Sequence, residues 1–265
     1  MLRRALLAVV LLLSAVPLAA QRRDPCRDHW GDDDQPNVCH SLGLGAKATG
    51  SLRIDPGVNG GAEVTTWDGD SVWVDAYVRS WARSDADAEA LNRGVTISLR
   101  SGVLSVDGPS VGRSQGWAVI FVVRVPKRQD LTIETTNGPI DVSDVKGSLQ
   151  LETTNGPITL DRVSGDVHAR LQNGPLTINL AGTSWDGAGL DAETVNGPLT
   201  IRVPDGYNAV LQTGTRNGPF HTDIPITVQG NIGRIGQQIS TTLGRGGVTL
   251  RAMTTNGPLT IRSGR

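Results

Sequence analysis

The sequence predicts an all-β protein: a repeat β-solenoid, β-helix-like, with an N-terminal β-rich capping region that contains one short helix. Three observations carry this expectation. The tripeptide Asn-Gly-Pro recurs at Asn137, Asn155, Asn173, Asn196, Asn217 and Asn256. The apolar residues around each copy alternate with period two, the strand period. The composition, with 33 glycines and only 4% aromatics, suits short strands and many turns.

Residues 1–20 read as a signal peptide. Arg3 and Arg4 form a positive start, Ala5 to Val16 is an apolar run, and Pro17-Leu18-Ala19-Ala20 offers small residues for cleavage after Ala20. The run is too short for a hydrocarbon core of about 30 Å. The expected location is therefore periplasmic or extracellular, with no membrane span after cleavage. Loss of Arg3 and Arg4 leaves 23 basic against 26 acidic residues. That mildly acidic balance gives no footprint for nucleic acid.

Residues 21–45 form an acidic segment with the chain's two cysteines, Cys26 and Cys39. In an exported protein an even count points to a disulfide. It would close the loop 27–38 and contribute about 3 kcal/mol by chain entropy. The alternative is a zinc site that adds His29 and His40. The adjacent Cys39-His40 pair argues against it, because neighbours on an extended chain point apart. Asp28, Asp32, Asp33 and Asp34 lack the spaced ligands of a calcium loop and read as a solvated acidic stretch. No metal or cofactor is predicted.

Residues 46–126 read as the capping region. Strands are expected at Ser51–Ile54, Ala62–Thr66, Ser71–Val78, Val95–Leu99, Val103–Val106 and Trp117–Val125. A helix is expected at Ser84–Leu91, with Ser84 as its N-cap. Such a region would cover the open strand edges at one end of the repeats. Trp73, Tyr77 and Trp81 share one strand face. They are expected to pack beneath the helix, against Ala86 and Ala90; the alternative is a ligand surface that stacks on sugar rings.

Residues 127–265 carry the repeats. Successive asparagines lie 18, 18, 23, 21 and 39 residues apart, Gly246-Gly247 looks like a degenerate copy inside the last gap, and Asn59-Gly60-Gly61 near the N-terminus looks like another relative. Apolar pairs precede the Asn, such as Leu131 and Ile133 or Leu149 and Leu151. Others follow it, such as Ile140 and Val142 or Ile158 and Leu160. Asn tolerates the left-handed region, Gly supplies positive φ, and Pro stiffens the bend. One copy per turn would stack the asparagines into a ladder. It would also stack Thr135, Thr153, Thr194, Thr215 and Thr254, a column that Leu171 interrupts. A charged column, Glu134, Glu152, Arg170 and Glu193, would gain from Arg170 between its acids. The alternative architecture is a sandwich of hairpins.

Catalytic motifs are scarce. Gly108-Pro109-Ser110-Val111-Gly112 matches Gly-x-Ser-x-Gly, but Pro109 and the polar residues after it spell a loop rather than the strand-turn-helix of a nucleophile elbow. The carboxylates Asp141, Asp161 and Asp223 are scattered. No phosphate-binding loop, dinucleotide fingerprint or metalloprotease motif occurs.

Three segments together resemble a known family: the Thr-Thr-Asn-Gly-Pro-Ile repeats, Ala-Gly-Thr-Ser-Trp-Asp-Gly-Ala-Gly-Leu-Asp at 181–191, and Ser-Thr-Thr-Leu-Gly-Arg-Gly-Gly at 240–247. With a signal peptide they look like the bacterial DUF4097 proteins, over roughly residues 50–265. Where those relatives carry Asn-Gly-Gly, this chain mostly carries Asn-Gly-Pro. The resemblance implies adhesion and offers no catalytic residues to carry over. The expected function is thus a non-enzymatic structural or binding module with a protein or glycan partner. The alternatives are a carbohydrate-active β-helix enzyme and an envelope-stress or signalling accessory.

Overall fold

The computed structural model describes residues 25–26, 35–225 and 238–264. The predicted signal peptide, His29 and the acidic residues Asp28, Asp32, Asp33 and Asp34 lie outside these residues.

In chain order the elements are Asn37–Lys47 (β1), Ser51–Asp55 (β2), Gly60–Trp67 (β3), Ser71–Trp81 (β4), Asp85–Gly94 (α1), Thr96–Arg100 (β5), Val103–Asp107 (β6) and Gly116–Pro126 (β7). The repeats continue as Asp130–Asn137 (β8), Ile140–Ser143 (β9), Lys146–Asn155 (β10), Ile158–Asp161 (β11), Ser164–Asn173 (β12), Leu176–Asn179 (β13), Gly189–Asn196 (β14) and Leu199–Pro204 (β15). The chain ends with Ala209–Asn217 (β16), Phe220–Thr222 (β17), Ile239–Leu243 (β18), Thr249–Asn256 (β19) and Leu259–Gly264 (β20).

The strands form two ten-stranded sheets. One runs β1-β4-β7-β3-β9-β11-β13-β15-β20-β17, and the other β18-β16-β19-β14-β12-β10-β8-β2-β6-β5. The strands on either side of each Asn-Gly-Pro therefore lie in different sheets, so the tripeptide is not a hairpin turn. Successive repeats pair in parallel, in register: Leu149 opposite Leu131 and Val167, and Ile158 opposite Ile140 and Leu176. The inward columns are Leu52, Leu131, Leu149, Val167, Leu190, Leu250 and Leu211 in one sheet, and Ala62, Ile140, Ile158, Leu176, Leu199 and Leu259 in the other. All are buried in one hydrophobic cluster. Each large aliphatic side chain so buried stabilises the fold by roughly 1.5–3 kcal/mol.

Chain order and spatial order part at both ends. The pair β2–β3 lies between β6–β7 and β8–β9. Likewise β19–β20 lies between β14–β15 and β16–β17. The long gap between Asn217 and Asn256 thus holds no further turn of repeats at Gly246-Gly247. Those glycines link β18, an antiparallel edge strand on β16, to β19. Insertion gives β19 a partner on both edges, so its backbone groups are satisfied.

The helix begins one residue later than expected. Ser84 caps it by accepting from Asp87 N–H at 3.2 Å. It turns Ala88 and Asn92 inward, not Ala86 and Ala90. Ser80 Oγ donates to Ala88 O, and Asn92 Nδ2 donates to Val78 O. Ser80 faces the core side of β4, so the helix sits on the face opposite Trp73, Tyr77 and Trp81. The strand β1 was not legible in the sequence. Its side chains are half-buried or exposed; pairing with β4, the Cys26–Cys39 disulfide and a hydrogen bond from Asn92 Nδ2 to Val38 O hold it. Among the described residues, no helix is long and apolar enough to cross a membrane.

Candidate binding groove

The corners come first, because they shape the surface. Each Asn side chain bonds to the next. Asn137 Nδ2 donates to Asn59 Oδ1 at 3.0 Å, Asn155 to Asn137 at 2.8 Å, Asn173 to Asn155 and Asn196 to Asn173 at 2.9 Å. Asn256 donates to Asn196 and Asn217 to Asn256, both at 2.8 Å. The order follows space rather than sequence, and Asn59, outside the strict tripeptide, is its first member.

None of these asparagines has positive φ. Left-handed geometry, expected for them, therefore does not account for the residue; the side-chain amide does. Gly156 and Gly174 do adopt positive φ, at 147° and 146°. A Cβ on Gly156 would stand 2.2 Å from Gly138 O, so only glycine lets adjacent corners stack.

The threonine column lies inside, one step from the corner. Thr153, Thr194, Thr215 and Thr254 are buried. Their hydroxyls donate to glycine carbonyls of the neighbouring corner: Thr194 to Gly174 at 3.1 Å, Thr254 to Gly197 at 2.9 Å, and Thr215 to Gly257 at 2.7 Å. Thr135 does the same to Gly60 at 2.6 Å. Leu171 fills its place in the column with apolar volume.

The charged column has the expected register, with Arg170 opposite Glu152 and Glu193. Its ion pairs run elsewhere. Arg170 Nη2 and Arg251 Nη1 each approach Asp191 at 2.6 Å, and Arg53 forms a two-pronged bond to Glu134. Asp191 stands diagonally across from Arg170, close enough for the guanidinium to prefer it. Burial would raise the Asp191 carboxyl, but the hydrogen bonds from Arg170 and Arg251 outweigh it and hold the group below its ordinary value.

A groove of about 500 Å³ opens on the outer face of the first sheet. In β4, Val72, Val74, Ala76 and Val78 point inward, so Tyr77, Arg79 and Trp81 point outward. Register sets their neighbours: Tyr77 beside Ser41 and Ile120, Arg79 beside Cys39 and Ala118, Trp81 beside Asn37 and Gly116. Asn59, Asn137, Gln35 and Pro25 complete the lining. Trp81 lies over Gly116, where a Cβ would stand 2.4 Å from the indole. Cys26 and Cys39 are disulfide-bonded at a Cα separation of 5.6 Å. With both sulfurs joined, the zinc alternative has no thiolates left; His40 instead stands 4.0 Å from Glu89. Arg79 Nη2 donates to Cys26 O at 3.4 Å, which ties the disulfide to the groove floor.

Of the three aromatics singled out in the sequence, Tyr77 and Trp81 line this groove and Trp73 does not. Trp73 lies over Gly45 and is 46% exposed. Four residues of strand separate it from Tyr77, roughly 13 Å at 3.3 Å per residue. Sequence reasoning did not place Gln35, Asn37, Arg79 or Ile120 at a ligand surface, and it read Asn59 only as a relative of the repeat corner. Arg79 follows from the alternation of β4; the others needed the pairing partners.

The Gly-x-Ser-x-Gly segment is a loop between β6 and β7, with Trp117 Nε1 donating to Pro109 O. A strand, not a helix, follows it, so the serine is not on an elbow. Glu63 and Asp141 are register neighbours on the outer face, but neither lines the groove.

Comparisons with known proteins give remote likenesses. A "putative cell adhesion protein" from Clostridium sporogenes matches at 9% identity and a TM-score of 0.39, over 86% of this chain and all of that one. A "putative adhesin" from Bacteroides fragilis matches at 11% identity and 0.35, over 84% and 97%. A "putative lipid binding protein" from Parabacteroides distasonis matches at 8% identity and 0.28, over 83% and 96%. No family model, DUF4097 included, matches the chain, and no curated protein does.

Proposed function

We propose that this chain is an exported β-solenoid that acts as a non-enzymatic structural and binding module of the cell envelope, adhesin-like in kind. The observation that carries this is the run of seven bonded asparagines over one shared core. Such stacking makes a rigid surface, and rigid surfaces bind at low entropic cost. In this reading 1–20 is a signal peptide, 21–45 a stapled acidic segment, 46–126 a cap and 127–265 the repeat region. Export fits the disulfide, which persists in oxidising compartments.

A carbohydrate-active enzyme would need two carboxylates flanking a bound sugar. Glu63 and Asp141 stand side by side on an open face, where they would meet the same side of a sugar. Among the described residues the groove itself is lined by apolar side chains, amides and one guanidinium, with no carboxylate.

The test has two arms. Fractionation of cells producing a tagged copy should find it outside the cytoplasm. Incubation with envelope and plant polysaccharides should release no new reducing ends. Cytoplasmic retention would overturn export, and steady release of reducing ends would overturn the non-enzymatic reading.

A further inference from the structure

We infer that the groove floored by Tyr77, Arg79 and Trp81 binds an uncharged sugar unit of a glycan. The inference deepens the binding-module reading and rests on it.

The ladder has a direction. Every amide in it donates toward Asn59, and none donates away from it. Asn59 Oδ1 accepts from Asn137, while Asn59 Nδ2 has no partner among the described residues. Asn59 and Asn137 both line the groove. The ladder thus ends by presenting an unspent N–H donor at the groove wall. Its neighbour polarises it, because hydrogen bonds in a chain strengthen one another by about 10–30% each. The effect is local: the backbone bonds beside it run the other way, with Gly138 N donating to Asn155 O.

The rest of the lining selects the ligand. A pyranose has an apolar C–H face and a rim of hydroxyls that both donate and accept. Trp81, Tyr77, Ile120 and Ala118 supply apolar surface for the face. The amides of Gln35, Asn37 and Asn59 match the rim, since an amide also donates and accepts. Among the described residues the lining carries no carboxylate, so nothing there pulls on a cation or pairs as acid and base for turnover. The volume falls within the roughly 300–1,000 Å³ of small-molecule pockets.

The test is an array of neutral oligosaccharides probed with the purified protein, then titration of the tightest binder against tryptophan fluorescence. Trp81→Ala and Asn59→Ala are each expected to weaken binding by about tenfold, and Trp73→Ala by less than about twofold. Thermal melts of each variant verify folding, and Trp81→Phe, which keeps a ring, is expected to restore part of the affinity. A silent array overturns the inference. So does a Trp73→Ala loss equal to that of Trp81→Ala. A silent array without polysaccharide cleavage overturns the groove assignment alone and leaves the binding-module reading in place; cleavage overturns both.

Discussion

The side-chain amide of Asn256 donates to Asn196 at 2.8 Å across sixty residues of sequence, while Asn217, nearer in the chain, lies on its other side. The last repeat of the chain is therefore not the last in space. Had the repeats stacked in chain order, Asn217 would bond directly to Asn196. Inserting β19–β20 leaves β16 and β18 as the edge, and β18 covers β16 antiparallel.

The ladder's interior and its end should differ. Asn256→Ala removes two amide bonds and Asn217→Ala only one. Each net bond contributes about 0.5–1.5 kcal/mol. Asn256→Ala is expected to lower stability about twice as much, read as a shift of the denaturation midpoint at constant m-value.

Glycine at the corner is a steric requirement, while glycine at an open turn is a conformational preference. At Gly156 an added Cβ meets Gly138 O at 2.2 Å, backbone against backbone. At Gly206 φ is +71° and nothing lies within 4 Å. Gly206→Ala should cost roughly 1 kcal/mol, the left-handed penalty alone. Gly156→Ala should cost several times that, by the same unfolding measurement.

The staple should act locally. Paired Cys26→Ser and Cys39→Ser substitution frees a loop of sequence separation 13, for which chain entropy predicts a loss of about 3 kcal/mol. The strand it holds, β1, pairs with β4 alone among the described strands. Hydrogen exchange is expected to quicken in Asn37–Lys47 and to stay slow in Lys146–Asn155.

Acid should reach the repeat face through Asp191. Its carboxyl is held below the ordinary value in the folded chain, so the folded state keeps it ionised to lower pH than the unfolded state does. The stabilisation is complete above the unfolded value near 4 and is lost as pH falls through the depressed folded value. Asp191→Asn should lower stability at pH 7, by roughly 1 kcal/mol for two partly exposed ion pairs. It should lower stability less at an acidic pH below the ordinary carboxylate value, where the wild-type chain is giving up this stabilisation. Denaturation curves at the two pH values check the sign.

Period-two alternation placed most strands, because an alternating strand with one buried face writes that face into its side chains. Ser51–Asp55, Gly60–Trp67, Ser71–Trp81 and Gly116–Pro126 were all legible this way. The strand β1 was not: Leu42, Leu44 and Ala46 alternate, but glycines stand between them and no residue of the strand is fully buried. The second corner of the repeat was missed too. There Asp144 and Arg162 take φ of 62° and 53° without any glycine to mark the turn, and Arg162 bonds back to Asp144. In the groove, Tyr77 and Trp81 were named from their shared face. Asn59, Asn37 and Gln35 come from elements that meet them only through pairing.

By itself, then, the sequence determined the strands, the helix cap at Ser84, the corner tripeptide and the apolar columns, because each is a local pattern of side-chain chemistry. The tertiary structure alone decided which repeat neighbours which, where the asparagine ladder ends, and which aromatics share a groove. Those depend on backbone pairing between distant segments, and parallel pairing satisfies the same hydrogen bonds whichever repeat comes next in the chain.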